Sequence, residues 1–148
     1  MSNDNGATSP ITIPHYSVTA GLIFNNDRIL ISKRKEGSTF GGYWEFPGGK
    51  QEANETLEEC LQRELSEELA IKVEVGDSFA TVDHTYADFR ITLHVFICKI
   101  VSGVPEAIDC SDWRWVSLDK LRDFKFPQAD NLVIDKLTAD ASVNKEVE

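Results

Sequence analysis

Apolar and polar positions alternate in the first third of the chain and then change period. Residues 16–24 (YSVTAGLIF) and 28–33 (RILISK) are two β-rich runs, and Asn25-Asn26-Asp27 between them suits a hairpin turn. Residues 33–43 are basic and then glycine-rich, and read as a loop. Trp44-Glu45-Phe46 is short and extended, because Pro47 disfavours a helical residue before it, and Gly48-Gly49 permits a tight turn. From there Leu57, Cys60, Leu61, Leu65 and Leu69 recur at helical spacing, forming one apolar sector at about 100° per residue. Thr56 and Glu59 have the spacing of a capping box, so this helix should begin near Asn54 or Thr56 and end near Leu69 or Ala70.

Downstream, residues 73–75 and 79–86 are β-rich, and 90–101 (RITLHVFICKIV) is the clearest strand, with Ala87-Asp88 offering the turn before it. Residues 104–112 form a loop, 113–116 a short strand, and 118–121 a helical turn behind the cap candidate Ser117. A second helix over 129–137 follows Pro127, with Leu132, Val133 and Leu137 at helical spacing. Strands outnumber helices without alternating with them, which predicts an α+β protein: a mixed β-sheet flanked by helices. Phe24, Phe79, Phe96 and Trp115 are expected in the core. Residues 1–10 read as a disordered tail, 11–138 as one domain and 139–148 as a polar C-terminal tail.

One helix breaks its own pattern. Glu64 and Glu68 fall inside its apolar sector and Glu67 lies on the flank. Carboxylates on a core-facing stripe are costly unless neutralised, and a hard divalent cation with oxygen ligands neutralises several at once. The formal net charge of −10 argues against a general nucleic-acid binder, but a polyphosphate can be held when metal ions stand between the two sets of charge. Cys60, Cys98 and Cys110 are odd in number and lack Cys-x-x-Cys spacing, which argues against a structural zinc site or a disulfide framework and fits a reducing cytoplasmic setting. The start MSNDNGATSP has neither a basic region nor an apolar core, so no signal peptide is expected, and no run reaches the roughly 18 apolar residues of a membrane span. His15, His84 and His94 stand singly, and none is assigned to metal.

Gly49, Glu55, Arg63-Glu64-Leu65, Glu67-Glu68 and Ile71 together resemble the signature of the Nudix hydrolase family. Ala70 departs from it, standing where the family usually has Gly, and must either adopt a strained left-handed turn or leave the helix another way. The resemblance implies a Nudix-type α/β/α sandwich. It also implies a Mg²⁺ site, with Mn²⁺ as the alternative, formed by Gly48, Glu64, Glu67 and Glu68. Glu64, Glu67 and Arg63 would serve catalysis, with Glu64 the first choice of base and Arg63 orienting an acid. Residues 44–50 (WEFPGGK) are similar to the approach to this box in the MutT subfamily, which places Glu45 and Phe46 at the substrate. Arg34, at the end of ISKR, would contact phosphate, for which an arginine fork is suited. Asp109 falls where many members carry a metal-completing Glu. Phe126-Pro127-Gln128-Ala129-Asp130 resembles a segment whose Asn reads the purine edge; here Asp130 holds that place, with Asn131 beside it. Asp130 has a plainer alternative role as a helix cap.

The resemblance therefore implies a nucleoside triphosphate pyrophosphohydrolase, with 8-oxo-dGTP as the leading substrate. CTP or another pyrimidine nucleotide is the alternative, because an ionised Asp only accepts hydrogen bonds. A non-catalytic nucleotide-binding module is the reading from another class, weakened by the presence of every box acid. The expected partner is a small nucleotide, with no nucleic acid or membrane, and the chain a monomer or homodimer.

Overall fold

The computed structural model describes residues 12–147, so the expected tail over 1–10 lies outside the described residues. Seven strands follow the chain: β1 (His15–Asn25), β2 (Arg28–Lys33), β3 (Trp44–Glu45), β4 (Gly48–Lys50), β5 (Lys72–Thr85), β6 (Arg90–Ser102) and β7 (Asp112–Ser117). Two helices, α1 (Leu57–Leu69) and α2 (Gln128–Val147), and a 3-10 turn (Leu118–Asp123) complete the fold. The strand order is β3-β2-β1-β6-β5, with β4 also pairing β1 and β7 pairing β2. β1 runs parallel to β6 from His15↔Arg90 to Ile23↔Cys98, while its other edge pairs antiparallel with β4 and then with β2. The sheet is mixed, as expected.

Each face of the sheet has its own core. Leu61, Leu65 and Leu69 of α1 pack on one side with Ile23, Leu30, Val73 and Phe96; Ala129, Val133, Ile134 and Leu137 of α2 pack on the other with Leu22, Ile31, Phe46 and Val95. The result is the helix–sheet–helix sandwich that the resemblance implies.

The capping box is present: Glu59 N–H donates to Thr56 Oγ1 at 3.1 Å, and Thr56 N–H to Glu59 Oε1 at 2.9 Å. Ala70 adopts the left-handed conformation, with φ 58°; by the ordinary cost for an L-residue this is a strain of about 1 kcal/mol.

Four expectations are corrected. Gly48-Gly49 is an extended strand, because the backbone of β1 lies so close that Thr19 and Ala20 pair with it. Residues 72–85 form one strand, with shifts of register around Val75 to Ala80 absorbing Gly76-Asp77. Phe24, at the end of β1, is exposed, whereas Phe96 is buried and Phe79 and Trp115 are half-buried. The second helix continues to Val147, past the boundary expected at residue 138, since no Gly or Pro interrupts it. Among the described residues no helix is long and apolar enough to cross a membrane.

Candidate active site

The sector pattern of α1 decides where its acids go. Cys60, Leu61, Leu65 and Leu69 are fully buried, so Glu64 and Glu68 are drawn half into the protein while Glu67 stays exposed. β4 runs beneath them. A Cβ built on Gly49 would meet the Glu64 carboxyl carbon at 2.2 Å, and one on Gly48 would meet Thr19 O at 2.0 Å. The two glycines therefore let the backbones of β1 and β4 and a carboxylate share one space. The Gly49 carbonyl is held from behind by the Thr19 hydroxyl at 3.2 Å and the Cys60 thiol at 3.5 Å.

Arg63 gathers the acids around it. Its guanidinium grips Glu55 with two hydrogen bonds, at 3.0 and 2.8 Å. It also donates to Glu64 Oε2 at 3.0 Å, Glu67 Oε1 at 3.1 Å and the Lys50 carbonyl at 3.1 Å. This fork holds the Glu55 carboxyl down at about 2. Arg63 thus spans Glu67 on its own face of the helix, at i+4, and Glu64 about 100° round it.

A cavity of about 540 Å³ opens beside this helix. Arg34, Glu45, Phe46, Gly48, Glu64, Glu68 and Asp130 all line it, so the structure brings together seven of the expected site residues from four segments. Arg63 stands behind them, on Glu64. Glu67 and Asp109 are not brought to the cavity: Glu67 leans on Arg63, and Asp109 forms an exposed ion pair with Lys35 at 2.9 Å while its N–H donates to the Glu68 carbonyl.

The electrostatics inside the cavity are lopsided. Arg34 bonds Glu45 at 2.9 Å and the Thr39 carbonyl at 2.5 Å. Burial still raises the Glu45 pKa, against the pull of Arg34. Glu68 is pushed up to about 10, by burial first and then by the charges of Glu45 and Glu64. Its Oε1 is buried without a hydrogen-bond partner. Asp130 is buried too and pushed up to about 8, chiefly by desolvation and then by Glu45, while Phe46 N–H donates to its Oδ2 at 3.2 Å. Asp130 lies in the first turn of α2, facing the cavity.

Among the described residues no three His, Cys, Asp or Glu side chains are already gathered into a ligand set. The donor chemistry nevertheless fits a divalent cation. An orphaned buried carboxyl oxygen on Glu68, a second carboxyl on Glu64 and the backbone of Gly48, all lining the cavity, put hard oxygen donors in one place.

Aromatic residues that sequence reasoning did not assign to the site close the far side of the cavity. Phe40 meets Tyr86 at 4.9 Å between ring centroids, Tyr86 meets Phe89 at 5.1 Å, and Tyr16 lies beneath Lys50 Nζ at 3.9 Å. Tyr43 and Trp44, which adjoin the site residues Glu45 and Phe46 in the chain, do not line the pocket; Trp44 packs on Phe124 in the core. A signal was available for three of the four: Tyr86 and Phe89 flank the hairpin turn, and Phe40 is an aromatic among glycines, with φ 58°.

Comparison with known proteins places these features in a family. Residues 19–136 match the family description NUDIX domain. The 8-oxo-dGTP diphosphatase of Escherichia coli (strain K12) is 34% identical over 121 residues, covering 81% of this chain and 94% of that protein. The 8-oxo-dGTP diphosphatase of Buchnera aphidicola subsp. Acyrthosiphon pisum (strain APS) is 38% identical over 112 residues, covering 73% and 90%. The CTP pyrophosphohydrolase of Escherichia coli (strain K12) is 32% identical over 113 residues, covering 76% and 84%. Among solved structures, the MutT protein from Methanosarcina mazei Go1 superposes with a TM-score of 0.78 at 27% identity, covering 92% of this chain and 99% of that one.

Proposed function

Because the chain belongs to the Nudix family, we propose that it is a nucleoside triphosphate pyrophosphohydrolase that converts 8-oxo-dGTP to the monophosphate and pyrophosphate, removing an oxidised nucleotide before it can be incorporated into DNA. The observation that carries this reading is the Glu68 carboxyl, whose Oε1 is buried without a hydrogen-bond partner, beside Glu64 in a cavity that also holds Arg34 and Asp130. Glu64, Glu68 and the Gly48 carbonyl would hold Mg²⁺, or Mn²⁺ in its place. When bound, the cation offsets the carboxylate charges and polarises the phosphoryl oxygens.

The chain's own groups do the rest. Arg34 turns from Glu45 to a phosphate oxygen, where its fork is worth more than against one carboxylate. Glu64, oriented by Arg63, takes the proton of the water that attacks the β phosphorus. Arg63 keeps Glu64 in place by spreading its donors over Glu55, Glu64 and Glu67. Glu67 and Asp109 stand outside the cavity and are left without a direct role.

At the other end Asp130 reads the base. Its raised pKa keeps the carboxyl protonated at neutral pH, so it can donate from O–H and accept at C=O. Oxidised guanine presents O6 as acceptor and N7–H as donor on one edge, whereas guanine presents two acceptors there. A neutral carboxyl pairs with both groups of the first and conflicts with N7 of the second. Above about pH 8 Asp130 ionises and only accepts, which favours an amino group such as that of cytosine; this supports CTP as the second reading, in line with the CTP-acting relative.

Three buried free cysteines fit a reducing cytoplasm, and the acidic net charge fits a small metal-bound nucleotide rather than a nucleic-acid chain. Pyrophosphate release across a panel of 8-oxo-dGTP, dGTP and CTP with Mg²⁺ tests the proposal. The expected result is a kcat/KM for 8-oxo-dGTP at least roughly tenfold above the other two at pH 7, narrowing as pH rises past 8. Equal rates, or CTP preferred at pH 7, would overturn the substrate assignment.

A further inference from the structure

Tyr86 touches the candidate site in a way the family signature does not mention. It sits where β5 ends, just before the turn to β6, far in sequence from α2. Its hydroxyl oxygen accepts the backbone N–H of Ala129 at 2.9 Å. Ala129 is the second residue of α2 and is fully buried. The first N–H groups of a helix have no partner within it, and the usual remedy is a Ser, Thr, Asp or Asn at the cap. Pro127 precedes α2 and has no such side chain. Asn131 turns backward instead, its amide donating to the Phe126 carbonyl at 3.2 Å. The phenol of Tyr86 therefore serves as a cap supplied from another part of the fold.

The residue after Ala129 is Asp130. Its carboxyl is held on one side by Phe46 N–H at 3.2 Å, and its backbone is set by the turn that Tyr86 anchors. Tyr86 itself has little freedom: its ring is flanked by His84 at 4.4 Å, Phe40 at 4.9 Å and Phe89 at 5.1 Å. Both Tyr86 and Asp130 line the cavity.

We infer that Tyr86 is a specificity-determining positioning residue: by accepting the Ala129 N–H it fixes the first turn of α2 and so aims the Asp130 carboxyl at the base. The inference rests on the reading of Asp130 given above. A phenylalanine at 86 keeps the ring and its packing but leaves a buried N–H with no acceptor, and the first turn of α2 relaxes to find one.

The test is steady-state kinetics of Tyr86→Phe, Asp130→Ala and the double variant, each with 8-oxo-dGTP and dGTP in Mg²⁺. For Tyr86→Phe the expected loss falls on KM for 8-oxo-dGTP, with the preference over dGTP falling about tenfold, the equivalent of one lost buried hydrogen bond. In the Asp130→Ala background the same change should do nothing further to the preference, because no carboxyl remains to be aimed. Hydrogen exchange at the Ala129 amide should rise in Tyr86→Phe. Unchanged preference in Tyr86→Phe would overturn the inference, as would an equal further loss in the Asp130→Ala background, which would mark a purely structural role. A wild-type protein with no preference for 8-oxo-dGTP would instead remove the underlying reading of Asp130, and the wild-type arm reports that separately.

Discussion

Replacing Glu64 with Gln is expected to lower pyrophosphate release by at least roughly 10³-fold while leaving the protein folded. Glu64 is the carboxylate that Arg63 presents to the cavity, occupying the space that a Cβ on Gly49 would need. An amide of the same shape fills that space, yet it neither takes a proton nor offsets a cation's charge. The fold should not suffer. Arg63 keeps its two-pronged grip on Glu55, and loss of one negative charge relieves the repulsion that contributes to the raised Glu68 pKa. Thermal unfolding should therefore show a Tm equal to or above that of the parent without metal. A rate within tenfold of the parent would contradict the role given to Glu64, whereas a parent protein without turnover would revive the reading of a non-catalytic nucleotide-binding module.

The second large effect separates two adjacent glycines. Gly48→Ala is expected to cost more than about 3 kcal/mol of stability, because the new Cβ would lie 2.0 Å from Thr19 O, a backbone atom fixed by the pairing of β1 with both β4 and β6. Gly49→Ala meets only the end of the Glu64 side chain, at 2.2 Å to its carboxyl carbon. That side chain can swing away, so the protein should stay folded with a stability change below about 1 kcal/mol. Its activity should fall on the order of 10²-fold, since Glu64 is displaced from the geometry that Arg63 sets. Chemical denaturation and turnover measured on both variants check the contrast. Two variants that lose stability equally would contradict the roles given to the two neighbours.

α1 was legible because several local cues agree: leucines at helical spacing, a Thr56–Glu59 capping box and acids at odds with the apolar stripe. The resemblance put Arg63 on one acid; that one guanidinium spans Glu55, Glu64 and Glu67 together was not legible, since its five donors are shared out only once β4 and the turn before α1 are in place. The strand at residues 48–50 was hidden because Gly carries no β propensity; only the approach of β1 imposes it. The expected residues that line the cavity come from four segments, and the family resemblance rather than any local pattern placed Arg34, Phe46 and Asp130 there. The aromatic wall of Phe40, Tyr86 and Phe89 is a tertiary feature, formed where a glycine-rich loop meets a hairpin turn. Asp109 shows the opposite failure. Its position in the chain matches a metal-completing acid, but Lys35 draws its carboxylate to the surface.

The central claim is that this carboxylate-lined cavity splits a nucleoside triphosphate between its α and β phosphates. Phosphorus-31 NMR of the wild-type protein turning over 8-oxo-dGTP in Mg²⁺ tests it most directly. The structure and the family predict resonances of 8-oxo-dGMP and pyrophosphate growing together, and none without a divalent cation. Formation of the diphosphate and inorganic phosphate, or no turnover of any nucleoside triphosphate, would contradict it.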